Sequence, residues 1–276
     1  MSSALSANAP HLLLVDGTNF IRRCWEANPA PESAAKAEHT MRSAAGSVRR
    51  ALNVHAPTHA LVVLDHGGPN WRHELYEGYK ASRSPTPAAL TAGIPLFTSE
   101  MASMGLATAA IPGVEADDTM ASVAHAWLGR GAATGSVTLL STDKDMAALV
   151  QAGVRVHAHF QDEWHDDAWV LRKFGVGAAQ LQDLLALLGD SSDDIPGVEG
   201  VGAKTAARLL AEHGSLEGVL AAAQAGAIKG KLGERLRADG AQAARLSRQL
   251  VAFKLDVKVG LTAAQLRWSG GQTPRG

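Results

Sequence analysis

The sequence predicts an α/β fold, a central and mostly parallel sheet flanked by helices, joined to a smaller helical unit. Three observations carry this. Short aliphatic runs end in an acid at three places, Ala-rich stretches of helical spacing lie between them, and after about residue 175 the strand pattern stops while Gly-rich joints and positive charge take over.

In chain order, residues 12–15 (LLLV) end at Asp16, residues 61–64 (LVVL) end at Asp65, and residues 137–140 (VTLL) lead into Ser141-Thr142-Asp143-Lys144-Asp145. Uninterrupted aliphatic runs of this length suit strands buried on both faces, as in a parallel sheet between helices. Residues 154–159 read as a fourth strand. Residues 34–52, 116–128 and 145–150 have helical spacing. Ligands of open parallel sheets sit beyond the carboxyl ends of the strands, so acids closing three neighbouring strands would meet on one rim. The expected organisation is an α/β domain over 10–175, a helical subdomain over 176–262, and flexible tails at 1–9 and 269–276.

The chain has 276 residues, 46% apolar and 19% charged, enough for one large domain with a small companion. A single cysteine, Cys24, excludes an intrachain disulfide. Lys plus Arg number 26 against 27 Asp plus Glu, so no global field draws the chain to nucleic acid or membrane, and any such binding requires charges sorted by region. Residues 1–11 carry no basic leader, and the following apolar run is too short for a signal sequence or a membrane span, so a soluble cytoplasmic protein without membrane contact is expected.

Two further acidic groups stand at joints: Glu115-Ala116-Asp117-Asp118 after Pro112-Gly113, and Asp190-Ser191-Ser192-Asp193-Asp194 before Ile195-Pro196-Gly197. Each alone reads equally as a helix cap or an Asx turn. Together, Asp16, Asp65, Glu115, Asp117, Asp118, Asp143, Asp145, Asp190 and Asp193 on one rim would repel one another unless cations compensated them. All-oxygen ligation points to a hard ion, Mg²⁺ or Mn²⁺, and two such ions about 3.5 to 4 Å apart serve in-line attack on a phosphodiester. A zinc site at His157, His159, His165 and Asp162 is disfavoured, because no cysteine pair or compact histidine spacing accompanies them.

Residues 71–83 interleave cations with aromatics, among them Trp71, Arg72, Tyr76, Tyr79, Lys80 and Arg83. This suits a single nucleic-acid strand, with rings on bases and cations on phosphates, although an amphipathic surface helix has the same composition. Lys80 and Arg83, three apart, would share one helical face and reach one phosphate. Arg22 and Arg23 follow Asp16 by about two turns of helix. Residues 195–210 (IPGVEGVGAKTAARLL) read as a helix-hairpin-helix DNA-binding element. Gly200 and Gly202 permit the tight turn, and the next helix offers free amides to a phosphate, with Lys204 and Thr205 at its head. From residue 200 to 258 ten cations face five acids, a local balance of +5.

The segments LLLVDGTNF, VVLDHGGPNWRHELYEGYKASRSPTP, IPGVEADDTMAS, LLSTDKDMAALV and LLGDSSDDIPGVEGVGAKTAARLL resemble, in order and spacing, the 5′-3′ exonuclease domain of bacterial DNA polymerase I and its flap-endonuclease relatives, over about residues 10 to 260. The resemblance implies a PIN-like sheet, a helical arch at about 68–100 and a helix-three-turn-helix unit. It implies a first metal cluster at Asp16, Asp65, Glu115, Asp117 and Asp118 and a second at Asp143, Asp145, Asp190 and Asp193. Tyr79, Lys80 and Arg83 fall on the residues that contact the scissile phosphate. Arg23, Arg72, Tyr76, Gly200, Gly202, Lys204 and Thr205 are the expected DNA contacts, and carbonyls at Pro196, Val198 and Val201 would hold K⁺. The implied activity is two-metal hydrolysis of DNA at a 5′ flap, fork or nick, in replication or repair, by a stand-alone monomer that joins the nucleoid when bound to DNA. Two departures are Asp194, where relatives often have Asn, and His66-Gly67-Gly68 after Asp65. The alternative is a catalytically weak DNA-junction-binding paralogue. A haloacid-dehalogenase-type phosphatase is set aside because Leu14 stands where its nucleophile would be, and a PIN-type ribonuclease would not need the hairpin.

Overall fold

In a computed structural model that describes residues 9–129 and 135–270, six strands form one sheet in the order β3-β2-β1-β4-β5-β6. The strands are β1 (His11–Asp16), β2 (His59–Val63), β3 (Ala107–Ala109), β4 (Ser136–Leu140), β5 (Val154–Ala158) and β6 (Glu163–His165). All pairings are parallel except β5 with β6. The tails expected at 1–9 and 269–276 fall almost wholly outside the described residues.

The aliphatic runs are strands because both faces are covered. Leu13 and Val15 point into a core with Phe20, Met41, Val48 and Phe97, whereas Leu12 and Leu14 point to the opposite core with Met120, Trp127 and Leu139. After β1 the chain builds β2 and β3 on one side, then returns to build β4 and β5 on the other. The crevice at that reversal, beyond the ends of β1 and β4, is where open sheets bind ligands. The sequence pattern misses β3 and β6: each has three residues, and neither ATA nor EWH contains an aliphatic run.

The helices in the first part are α1 (Gly17–Ala27), α2 (Ala34–His55), α3 (Trp71–Leu75), α4 (Ala88–Ser103), α5 (Ala116–Gly129) and α6 (Asp167–Phe174). Gly17 lets α1 start flush against β2, since a Cβ there would lie 2.8 Å from Leu64 and 2.9 Å from Val62. The expected helix at 145–150 is a 3₁₀ segment, Lys144–Leu149.

The expected arch at 68–100 divides. α4 lies along α2, burying Leu90, Phe97 and Met101, and belongs to the layer covering the sheet. Only α3 is helical in the remainder, and residues 77–83 run as turns. This stretch is a strap rather than a helical arch. It is tied to α1 by Arg22 Nη2 donating to Thr86 Oγ1 at 2.9 Å. At its other end it is tied to the 190–195 turn by Lys80 N–H on the Asp193 carbonyl and by Ser82 on Asp194, both within 3 Å.

The second part holds α7 (Leu181–Leu188), α8 (Ala203–His213), α9 (Leu216–Gln224), α10 (Gly230–Arg237) and α11 (Gly240–Leu250), packed through Leu184, Leu185, Leu209, Leu210, Val219 and Leu236. Tyr79 and Ala147 enter the same cluster, so the site lies between the two parts. The chain then leaves the helical unit earlier than the expected residue 262. Residues 252–262 cross back over α5, where Ser122 Oγ donates to the Lys254 carbonyl and accepts the Val257 N–H, before α12 (Ala263–Leu266). Trp268 N–H then reaches the Thr58 carbonyl at 3.0 Å.

Candidate active site

At the carboxyl ends of β1, β2 and β4 a cavity of about 210 Å³ is lined by Asp16, Asp65, Glu115, Asp117, Asp143, Asp145 and Asp193, together with Arg22, Tyr79, Lys80 and Arg83. Each acid is placed by backbone structure. Asp16 ends β1 and caps α1, accepting the Asn19 N–H at 2.9 Å with one oxygen and the Ser141 hydroxyl at 2.8 Å with the other. Asp65 accepts the Ala116 N–H at 2.8 Å, at the head of α5, while its own N–H donates to Thr18 Oγ1. Asp143 caps the 3₁₀ segment through the Asp145 N–H, and Asn19 anchors the same loop through the Thr142 N–H and hydroxyl. The holders Thr18, Asn19, Ser141 and Thr142 were not singled out from the sequence; their signal is that they immediately flank the acids.

Electrostatics divides the rim. Burial pushes Asp16 up to about 7 and Asp145 up to about 8, and it raises Asp117 and Asp143 as well. Neighbouring carboxylates add to it: Asp65 and Asp143 on Asp16, Asp143 on Asp145 and Asp117, and Asp193 on Asp143. Burial also opposes ionisation of Glu115, but Lys80 and Arg72 outweigh it and hold its carboxyl below the usual range. Glu115 accepts from Lys80 Nζ with one oxygen and from Tyr79 Oη and Arg72 Nη1 with the other. Asp193 pairs with Arg83 and lies 3.7 Å from Lys80 Nζ.

The donor set fits hard divalent cations. It is all carboxylate oxygen, burial and neighbouring carboxylates disfavour the charge of the inner acids in a way that cations would relieve, and Asp145 Oδ1 is buried with no hydrogen-bond partner. Among the described residues no group of three or more His, Cys, Asp or Glu side chains is drawn together closely enough to hold a metal ion.

Several sequence expectations change here. Asp118 is not on the rim. It is fully buried, with Oδ2 accepting from Trp71 Nε1 at 2.9 Å and Arg72 Nη1 at 2.8 Å, and Oδ1 from Arg72 Nη2 at 2.9 Å and Lys254 N at 3.0 Å. Its oxygens are spent on protein donors. Arg72 is correspondingly unavailable to DNA: it is 3% exposed and also donates to the Leu250 and Ala252 carbonyls. Asp190 stands behind Asp145, bound to Lys144 at 3.0 Å and to Ser192, and does not line the cavity. Lys80 and Arg83 do reach the site, but from turns, with Lys80 at φ +54°, so no helical face aligns them. Tyr76 packs against the helical core. Arg22, rather than Arg23, lines the cavity.

Farther along, the hairpin forms as a tight turn. Gly197, at φ +63°, crosses so close to Gly189 that a Cβ on it would lie 2.4 Å from the Gly189 nitrogen. Gly197 N–H donates to Ser247 Oγ on α11 at 2.9 Å. The Val198 carbonyl accepts the Val201 N–H, closing the turn. Gly202 begins α8 without any side-chain cap, leaving its first amides open, with Lys204 exposed and Thr205 half-buried beside them.

The profile of the 5′-3′ exonuclease N-terminal resolvase-like domain matches residues 11–175, and that of the 5′-3′ exonuclease C-terminal SAM fold matches residues 176–274. A Vibrio cholerae protein named Flap endonuclease Xni is 34% identical over 263 residues, covering 94% of this chain and 97% of its own. A protein of the same name from Aeromonas salmonicida is 34% identical over 262 residues, 94% of this chain and 97% of its own. T5 5′-exonuclease, solved with bound zinc ions, superposes with a TM-score of 0.70 at 25% identity, over 89% of this chain and 90% of its own. The catalytic core of Rad2 in complex with DNA shares the fold, with a TM-score of 0.58 at 16% identity over 94% and 83% of the two chains. With residues 11–175 matched by one family profile, residues 176–274 by the other, and relatives 34% identical over nearly the whole length, the chain belongs to the 5′-3′ exonuclease family.

Proposed function

We propose that the protein is a divalent-metal-dependent, structure-specific 5′ nuclease that hydrolyses DNA phosphodiesters as a 5′-3′ exonuclease and 5′-flap endonuclease. The observation that carries this is the set of Asp16, Asp117, Asp143 and Asp145, raised by desolvation and by neighbouring carboxylates, facing Lys80 and Arg83 across one cavity. The relatives named above bear flap-endonuclease names, and T5 5′-exonuclease binds divalent zinc.

Asp16, Asp65, Glu115 and Asp117 would hold one Mg²⁺ or Mn²⁺ and Asp143, Asp145 and Asp193 a second. Such ions supply an acidified water as nucleophile and stabilise the attacking and leaving oxygens. Lys80 and Arg83 neutralise charge gathering on the phosphoryl oxygens, and Tyr79 Oη, fixed on Glu115, keeps that carboxylate oriented. The strap, tied at Thr86 and Ser82, would border the path of a single strand to the cavity, while the hairpin amides and Lys204 would take the duplex backbone without reading sequence. The Pro196, Val198 and Val201 carbonyls would hold K⁺ beside that phosphate. Among the described residues no helix is long and apolar enough to cross a membrane.

A labelled 5′-flap duplex and a nicked duplex, each incubated with Mg²⁺, Mn²⁺ or EDTA, test the reading. Cleavage at the flap base leaving a 5′-phosphate and a 3′-hydroxyl, dependent on metal, is expected. Tight flap binding with no cleavage under either ion overturns it in favour of a junction-binding protein.

A further inference from the structure

The arginines of the helical unit are held in different ways. Arg245 pairs with Glu217 at 2.8 Å, Arg208 with Glu212 at 2.9 Å and Arg248 with Asp183 at 2.7 Å, each neutralised at hydrogen-bond distance. Arg237 is spent on the Ala223 carbonyl. Arg235 differs in both partner and place. Its Nη1 donates to the Glu199 carbonyl at 2.5 Å, in the hairpin turn itself. The carboxylate of Glu199 stays 3.6 Å from Nη2 and is 87% exposed, a weak rim contact that a phosphate can replace.

The turn is shaped around this guanidinium. Gly200 has φ +76°, and a Cβ on it would lie 2.5 Å from Arg235 Nη1, so the missing side chain is the space the guanidinium occupies. Next to Arg235, Leu236 is fully buried and pins α10. The side chain of Arg235 remains 35% exposed, two residues from the open head of α8 at Gly202 when counted from Gly200. A guanidinium has five N–H donors in a fixed fork, and one seated on a carbonyl leaves others for an oxyanion.

We propose that Arg235 is a DNA-binding and positioning residue of the hairpin: seated on the Glu199 carbonyl in the space left by Gly200, it props the turn and presents a fixed cation to the duplex phosphate taken by the head of α8. This rests on the reading that the hairpin holds duplex DNA. Neither hairpin spacing nor the run of glycines points to Arg235, because it arrives from a helix more than thirty residues later.

The test measures binding of a fluorescein-labelled 5′-flap duplex to the full chain in EDTA by anisotropy, across a series of KCl concentrations. Arg235→Ala removes both roles. Arg235→Gln keeps a neutral donor for the carbonyl and guards against a variant that fails to fold. Expected for Arg235→Gln is an unchanged melting temperature, a Kd raised about five- to tenfold and a log–log salt slope reduced by about one. In Mg²⁺, KM rises by the same factor with kcat unchanged, and Arg245→Ala stays within about twofold of the parent. Lys204→Ala separates the two layers of the reading. If it leaves Kd unchanged, the hairpin does not hold duplex; if it weakens binding while both Arg235 variants stay within twofold, the role of Arg235 is overturned. Weaker binding by Arg235→Gln with an undiminished salt slope also overturns it, since Arg235 would then be only a prop.

Discussion

Asp118→Asn distinguishes a metal ligand from a structural acid. Four donors converge on the Asp118 carboxylate: Trp71 Nε1, two nitrogens of Arg72 and the Lys254 N–H. An Asn of the same shape has one oxygen and one NH₂, so two of these donors would face another donor, and the 3%-exposed Arg72 would keep only Glu115, at 3.2 Å, as a charged partner. Removing one partner of a buried ion pair costs about 3 to 5 kcal/mol. The remaining Glu115 contact places this variant at about 3 kcal/mol, or roughly 6 to 12 °C in Tm for a chain of this size. Calorimetry in EDTA and in excess Mg²⁺ measures it. The expected result is a lowered Tm in both, with the Mg²⁺-induced rise in Tm preserved, because the ion-facing oxygens belong to Asp117 and its neighbours. A Tm in EDTA equal to or above that of the parent, with the Mg²⁺-induced rise lost, would refute the reasoning and return Asp118 to the ligand set.

Asp145→Asn removes a buried acid raised to about 8 and should raise Tm in EDTA at pH 8 while lowering Mg²⁺-dependent flap cleavage by more than about 100-fold, read by calorimetry and a product gel. The parent protein in EDTA should lose stability as pH climbs from about 5 to 8 and level off above 8. Asp16 and Asp145 keep protons in the folded state up to about 7 and 8 but release them near 4 when unfolded, so folding becomes steadily less favourable between the unfolded and the folded values and no further once both forms are ionised. Saturating Mg²⁺ should flatten that slope, and a melting curve that rises over this window contradicts it. Lys80→Ala should lower kcat on a 5′ flap by about 10² to 10³ while changing flap affinity in EDTA little, since its charge is spent beside the reacting phosphate. Gly17→Ala should cost about 1 to 3 kcal/mol by forcing α1 away from Leu64 and Val62, visible as a lowered urea midpoint.

Local pattern was enough to place β1, β2 and β4, because a strand covered on both faces must be apolar without interruption, and the acid that ends each run has no strand left to join. Convergence at one rim followed once the three runs were taken as neighbouring parallel strands. The pattern was not enough for β3 and β6, which are held by pairing with neighbours rather than by their own composition. Nor was it enough for the strap, where interleaved cations and aromatics read as a helix but the chain turns, with Lys80 in the left-handed region.

What the sequence alone determined, then, is the central strands of the sheet, the hairpin and the inventory of acids and cations, since these follow from short-range periodicity and from residues with restricted backbone choices. Tertiary structure decided which member of each pair faces the site. Asp117 and Asp118 are adjacent on α5, yet one step of a 3.6-residue helix turns the first into the cavity and the second toward Arg72 and Lys254. The same step separates Arg22 from Arg23. Arg72 looked like a DNA contact and became the buried centre joining α5 to the returning chain, while Arg235 carried no motif and came to rest on the hairpin. Spacing along the chain specifies a face only when the helix's orientation is known, and that orientation is set by cores assembled from residues far apart in sequence.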